Sequence, residues 1–176
     1  MTSGEQFLRG PIRVKEASFA DYGAAAAIHH RVMTDDGYGG SERALTADEV
    51  AEHWAAHGKL FVACFSNGEI VGSVTLVRPP SRFVQLASTD EAEVRFLTVL
   101  REARRAGVAR SLMNAVIESA RDGGAVAVVL STQPSMIAAQ RLYESMGFRR
   151  TPEKDRTDSG LRFLAYRFDC HGEVSP

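Results

Sequence analysis

The chain has 176 residues, 44% hydrophobic and 24% charged, the profile of an ordinary globular protein long enough to bury one core. Its 21 lysines and arginines nearly balance 22 aspartates and glutamates, and a net charge of −1 excludes the broad basic excess that nucleic-acid or membrane-surface binding needs. Cys64 and Cys170 stand far apart in no metal-ligand spacing, so neither a disulfide framework nor a zinc site is expected.

No apolar run has the length of a signal peptide or a membrane span, so the expectation is a reduced, cytoplasmic protein. It should form a single domain over residues 1–176, with a core at about 12–168 and short flexible termini. A short strand is expected at residues 12–14. Ser18, three residues ahead of Asp21, matches a capping box and opens a helix through about Met33. Residues 34–45 are polar, acidic and glycine-bearing, hence a loop. Thr46 and Glu49 make a second capping box, and Val50 and Trp54 lie one turn apart on the helix it opens.

Residues 60–65 and 70–77 are apolar and rich in β-formers, joined by Ser66-Asn67-Gly68-Glu69. Asn-Gly tolerates positive φ at both positions, which predicts a tight hairpin turn. Pro79 and Pro80 end the second strand, and residues 81–92 read as loop or edge structure. A strand at 93–99 leads through a basic turn into a helix ending near Asp122. On that helix Val108, Leu112 and Val116 form one row and Ala109, Met113 and Ile117 its neighbour, an apolar stripe wide enough to pack on a sheet.

Gly123-Gly124 is a helix stop, and residues 125–130 are continuously apolar, as in a strand buried on both faces. A helix over about 135–146 ends at Gly147, and strands at 148–150 and 161–168 flank a polar loop. The order β-α-α-β-β-β-α-β-α-β-β predicts an α/β (α+β) fold. Its central sheet should be mixed, mostly antiparallel, of about six or seven strands, with helices on both faces.

The basic turn carries the first chemistry. The first N–H groups of a helix lack intrahelical partners, and the helix dipole is positive there. Gly107 and Ala109 lack the bulk that would keep a phosphate away, and Arg104, Arg105 and Arg110 add positive charge. A plain strand-to-helix turn with solvated arginines accounts for the same residues.

In this position Arg104-x-x-Gly107-x-Ala109 resembles the Gln/Arg-x-x-Gly-x-Gly/Ala signature of the GCN5-related N-acetyltransferases, the GNAT superfamily. Downstream, Ala139-Gln140-Arg141-Leu142-Tyr143-Glu144-Ser145-Met146-Gly147-Phe148 is similar to that family's A-x-x-L-Y-e-x-x-G-F segment, and the order of elements over residues 12–168 is similar as well. The resemblance implies that the turn holds the pyrophosphate of acetyl-CoA. Arg104 opens that turn, and the backbone N–H groups of Arg105, Ala106, Gly107, Val108, Ala109 and Arg110 face the phosphates. It also implies that main-chain groups of Leu97, Thr98 and Val99 line the pantetheine arm and help polarise the thioester carbonyl. Three places depart from the family: Arg101 stands where proline is common, Arg105 where a further glycine is, and Met136 where an asparagine is. Ser135 is the residue available to stand in for that asparagine.

Acetyl transfer to an amine needs a neutral nucleophile, a stabilised carbonyl oxygen and a proton for the leaving thiolate. By the resemblance Tyr143 is the general acid; otherwise it is an aromatic core residue. Glu93 is the candidate base, acting through water, and shares one strand face with Arg95, Leu97 and Val99. The competing reading of Glu93 is an ion pair with Arg95, and Glu91 is the next candidate. His53 and His57 have a metal-capable spacing but no third ligand, so no metal is expected; His29-His30 read as structural and Cys64 as core.

The resemblance places the acceptor among residues 34–43, 88–93 and 151–160. There Asp35, Asp36, Asp90 and Glu91 could attract a cationic amine, with Tyr38 and Phe83 as apolar walls. The expected function is acetyl-CoA-dependent N-acetyl transfer, direct from thioester to a primary amine of a small molecule or peptide. The alternative is a non-catalytic acyl-CoA-binding or sensing domain. Nucleotide binding is weaker, since neither G-x-x-x-x-G-K-[ST] nor G-x-G-x-x-G occurs. No nucleic-acid or membrane partner is expected, and a homodimer is left open.

Overall fold

The structure, a computed structural model, describes residues 10–38, 46–53 and 58–171. In chain order the elements are β1 (Arg13–Glu16), α1 (Phe19–Asp35), α2 (Ala47–His53), β2 (Gly58–Cys64), β3 (Ile70–Val77), β4 (Glu91–Val99), α3 (Val108–Asp122), β5 (Ala127–Thr132), α4 (Ile137–Ser145), β6 (Arg149–Arg150), β7 (Arg156–Asp158) and β8 (Leu161–Asp169). Among the described residues the sheet has eight strands rather than six or seven, in the order β1-β2-β3-β4-β5-β8-β6 with β7 on β8. β4 runs parallel to β5, whereas β1–β2, β5–β8, β6–β8 and β7–β8 are antiparallel, so the sheet is mixed and mostly antiparallel as expected. The chain divides into two compact units, residues 1–75 with 96–116, and residues 76–95 with 117–176.

In the first unit both helix starts follow their capping signals. The Asp21 carboxylate accepts hydrogen bonds from the Ser18 N–H and hydroxyl, each at 2.8 Å, and from Lys15 Nζ at 2.9 Å. At α2 the Thr46 N–H donates to Glu49 at 2.7 Å and the Glu49 N–H returns to the Thr46 hydroxyl at 3.3 Å. These caps hold α1 and α2 so that Ala25, Ala26 and Val50 pack with Leu60 and Val62 of β2, and Tyr22, Ile70 and Phe96 close around them. Val50 is fully buried as its spacing predicted; Trp54 and His57 lie outside the described residues.

The hairpin forms, with a different turn. Gly68 donates to the Phe65 carbonyl at 2.9 Å and Phe65 to the Glu69 carbonyl at 3.0 Å. Gly68 alone of the Asn-Gly pair has positive φ, +84°. A type I turn closed by one left-handed glycine fits this connection better than a two-residue turn, because Asn67 Oδ1 also accepts the Glu69 N–H at 3.0 Å.

The second unit is organised on β5, whose residues from Ala127 to Leu130 are at most 1% exposed, the two-sided burial its sequence predicted. Tyr166 of β8 is 1% exposed and packs at 6.0 Å from Tyr143, which in turn lies 5.8 Å from Phe148. The polar loop expected over 151–160 contains a strand, β7, closed onto β8 by Ser159 and Gly160 with φ of +48° and +80°. Two positive-φ residues make a tight hairpin turn, and a three-residue polar strand shows no alternation by which to find it.

Asp155 anchors this hairpin. It accepts from both Arg150 Nη atoms at 2.9 Å, from the Ala165 N–H at 2.8 Å and from Arg162 at 3.3 Å. The Arg150 hydrogen bonds, foremost, bring its pKa from 3.8 to about 2. A depressed carboxylate pKa stabilises the fold above the unfolded value, and the contribution is lost as pH falls through the folded one. Between pH about 4 and about 2 the wild-type melting temperature should therefore fall; Asp155→Asn should melt lower at pH 7 and lack this component, read by thermal scans across that window.

Candidate active site

The first unit carries the predicted donor turn. The parallel β4–β5 ladder runs from Glu91↔Ala127 to Val94↔Leu130 and stops. Two residues on, Phe96 has a φ of +57°, a left-handed residue inside a strand, which kinks the chain where the pairing ends. The strand resumes through Leu97, Thr98 and Val99. It is fixed by a buried Thr98–Ser73 hydroxyl contact at 3.1 Å, and beyond its end the Leu100 N–H donates to the Val71 carbonyl at 2.9 Å.

A short 3-10 turn, Arg101–Ala103, follows, then Arg104 in extended conformation. Arg105 and Gly107 are both left-handed, at φ +64° and +85°. α3 then begins, its first bond running from the Ser111 N–H to the Gly107 carbonyl at 3.0 Å. Arg105 adopts the left-handed geometry although it carries a side chain, at a cost of roughly 1 kcal/mol. At Gly107 a Cβ would meet nothing within 4 Å, so glycine is favoured there by φ and not by crowding, and the space in front of it is open.

α3 begins at Val108, and the first N–H groups of any α-helix have no carbonyl four residues back inside the helix, the arrangement an anion fits. The helix start is held close by Gly72. A Cβ there would lie 2.9 Å from the Thr98 carbonyl oxygen and 3.1 Å from Val108 Cγ1. Only glycine lets the start of α3 lie directly against β3 and β4.

Arg104 does not add free charge to the turn as the sequence suggested. Its Nε donates to the Val99 carbonyl at 3.2 Å, and its guanidinium fork grips both oxygens of Asp36, with Arg101 3.4 Å from the same carboxylate. Asp36 is thus no lure for an amine: its side chain is 9% exposed, and the Arg104 hydrogen bonds hold its pKa below the ordinary carboxylate range. Asp35 pairs with Arg31 at 3.5 Å. This clamp, invisible in the sequence because its members are 68 residues apart, fixes the turn's entry. Asp36→Ala should lower stability by about 1–2 kcal/mol, since Arg104 stays partly solvated, and weaken acetyl-CoA binding several-fold, measured by thermal melts and calorimetry.

The second unit carries Tyr143, Glu93 and Ser135. Tyr143 is 6% exposed, and burial first, then the neighbouring Tyr166, pushes its phenol pKa well up, so it stays protonated at neutral pH. The Ser135 carbonyl accepts the Ile137 N–H at 2.9 Å, and α4 starts at Ile137. Met136, in the family's asparagine place, has its sulfur 3.4 Å from the Thr132 hydroxyl and so closes the strand-to-helix turn.

Glu93 is fully buried. Its Oε2 accepts three backbone N–H groups, from Gln85 and Leu86 at 2.8 Å and Ala87 at 3.2 Å, while Oε1 faces Arg95 at 3.3 Å. The ion-pair reading of Glu93 is thus the one realised, together with an anchor for the 85–87 loop that sequence reasoning missed. Glu91 is 3% exposed and held by the Ser88 N–H, Lys154 and Arg167. Burial alone would raise its pKa, but these donors lower it on balance, so it too is a structural anion.

His29 lies edge-on to Phe96 at 5.3 Å, and burial, aided by His30, lowers its pKa to about 4, which keeps it neutral. Among the described residues no His, Cys, Asp and Glu group could hold a metal, and no helix is long and apolar enough to cross a membrane.

Comparison with known proteins bears on this geometry. Residues 27–148 match the Acetyltransferase (GNAT) family. "N-acetyltransferase family 8 member 2" of Rattus norvegicus is 36% identical over 108 residues, 60% of this chain and 45% of that protein. "N-acetylaspartate synthetase" of Danio rerio is 33% identical over 140 residues, 72% of this chain and 47% of that protein. The chain spans about half the length of the curated relatives it matches.

Among solved structures, a Salmonella typhimurium protein with its cofactor acetyl-CoA superposes with a TM-score of 0.73 at 18% identity, over 94% of this chain and 97% of that one. A GCN5-related N-acetyltransferase from Kribbella flavida gives 0.69 at 23%, over 90% and 97%. The fold of those structures is the fold found here, and by the family match over its residues 27–148 the chain belongs to the acetyltransferase (GNAT) family.

Proposed function

We propose that this protein is an N-acetyltransferase that uses acetyl-CoA and passes the acetyl group directly to a primary amine in a ternary complex. The carrying observation is the turn: left-handed Arg105 and Gly107 run straight into the first turn of α3, just past a strand kinked at Phe96. The open space at Gly107 and the missing Cβ fit a pyrophosphate, with the N–H groups from Arg105 to Arg110 as donors. Leu97, Thr98 and Val99, beyond the end of the β5 ladder, are the main-chain groups proposed for the pantetheine arm, with Ser135 as a further contact.

Acetyl-CoA supplies the activated carbonyl. The amine nitrogen attacks it, the C–S bond breaks, and Tyr143 is proposed to give its proton to the leaving thiolate sulfur. Glu93 keeps a proposed base role only through Oε1 and water, since Oε2 is taken by three amides. The relatives are named as enzymes, an N-acetyltransferase and an N-acetylaspartate synthetase, which supports catalysis over a sensing role. The acceptor is proposed to be a small molecule or peptide, and the balanced charge supports a partner other than nucleic acid.

Calorimetry with CoA, acetyl-CoA and ATP, joined to a thiol-release assay over amines, amino acids, polyamines and peptides, tests this reading. Micromolar acetyl-CoA binding with turnover is expected. Preference for ATP would sink the donor assignment, and tight acetyl-CoA binding without any turnover would favour a sensor.

A further inference from the structure

In the unit of residues 76–95 and 117–176, Asp90 and Glu91 were expected to attract a cationic amine; Asp90 is exposed to solvent, and Glu91 is already spent. Glu91 is closed off by Lys154 and Arg167. What gathers instead is guanidinium. Arg95 projects from β4 with its side chain 18% exposed, Nη1 lying 3.3 Å from Glu93 Oε1 and 3.4 Å from the Phe83 carbonyl oxygen. Arg156, first residue of β7, lies 4.4 Å over the Phe163 ring. Its Nη2 donates to the Gln85 side chain, and its Nη1 is 3.5 Å from the largely exposed Asp158. Its Nε is buried and makes no hydrogen bond among the described residues.

Both arginines reach the same short segment, Arg95 at the Phe83 carbonyl and Arg156 at the Gln85 side chain; burial first, and the like charge of Arg156 in addition, lower the Arg95 pKa. Glu93, the buried carboxylate that faces Arg95, already serves three amides. The exposed Asp158 contact is weak compensation. A buried donor left unsatisfied costs free energy that an anionic ligand would recover. The guanidinium edge formed by Nε and Nη matches the two oxygens of a carboxylate, and a neutral glutamine is readily displaced from it.

We propose that Arg156, with Arg95 behind it, is a carboxylate subsite for the acceptor, so that the amine acetylated belongs to an α-amino acid or an amino-acid conjugate. This rests on the acetyl-transfer reading. It inverts the sequence expectation: the acceptor is selected by its negative end, with the Phe163 ring under the Arg156 guanidinium holding it in place.

The test pairs L-alanine, L-aspartate and L-phenylalanine with their α-carboxamides. Thiol release with acetyl-CoA gives kcat/KM, and saturation-transfer NMR on CoA-saturated protein gives binding. The acids should exceed the amides about 10- to 100-fold, the worth of one charge-assisted pair. Arg156→Gln should collapse that ratio with unchanged acetyl-CoA affinity, and Arg156→Lys, which keeps charge without the fork, should give an intermediate ratio and serves if the glutamine variant does not fold.

Amides equal to or better than acids, or a ratio that survives both variants, would overturn the subsite. So would absence of acid binding and acid turnover on protein that binds acetyl-CoA. If acetyl-CoA itself does not bind, the transfer reading fails, and acid-against-amide binding to the donor-free protein still decides the subsite.

Discussion

Tyr143→Phe should lower the rate of acetyl transfer at saturation about 100-fold and leave the acetyl-CoA dissociation constant within about twofold. The change removes one hydroxyl from a side chain that is 6% exposed and keeps its ring contacts with Phe148 and Tyr166. Packing is preserved, so melting temperature should hardly move. The raised phenol pKa decides how the group works: Tyr143 is a weaker acid than a free thiol, and full proton transfer in the ground state is uphill. Its contribution is a hydrogen bond that strengthens as the sulfur gains charge, which lowers the barrier without adding ground-state affinity. Rapid kinetics and calorimetry on the same preparations check both halves. Full turnover in the variant would leave Tyr143 as core packing alone.

For Glu93→Gln the expected result is chiefly loss of stability. The substitution leaves Arg95 without its buried counter-ion and turns an amide group toward it, a loss of about 3–5 kcal/mol. In a chain of 176 residues that corresponds to a fall in melting temperature on the order of 10 °C. Amide exchange at Gln85, Leu86 and Ala87 should quicken, because their shared acceptor is weakened. A base role predicts a different pattern: unchanged melting, a large drop in turnover, and disappearance of the acid limb of the pH–rate profile. That pattern would remove the anchor account and restore Glu93 to the chemistry.

Where a signal was local, the sequence could be read directly. Ser18 with Asp21 and Thr46 with Glu49 lie one helical turn apart, so the bonds that start α1 and α2 follow from spacing alone. The same holds for the stripe of Val108, Leu112 and Val116, for the unbroken apolar run of β5, and for Gly107 before a helix. β7 escaped because its three residues, Arg156–Asp158, are polar and owe their strand state to pairing with β8.

The site divides along the same line. Backbone geometry at the donor turn was legible, since glycine and helix starts act through φ and through N–H groups that every sequence carries. The role of each charged side chain was not. Asp36 was read as bait and is the clamp on Arg104; Glu93 was read as a base or as the ion-pair partner of Arg95, and it pairs with Arg95 while also holding a loop; Arg156 attracted no notice and carries a buried Nε with no hydrogen bond among the described residues. A sequence states that a charge exists, and only the tertiary structure assigns its counter-ion, because that partner is set by which distant segments the fold brings within a few ångströms and how little water it leaves between them.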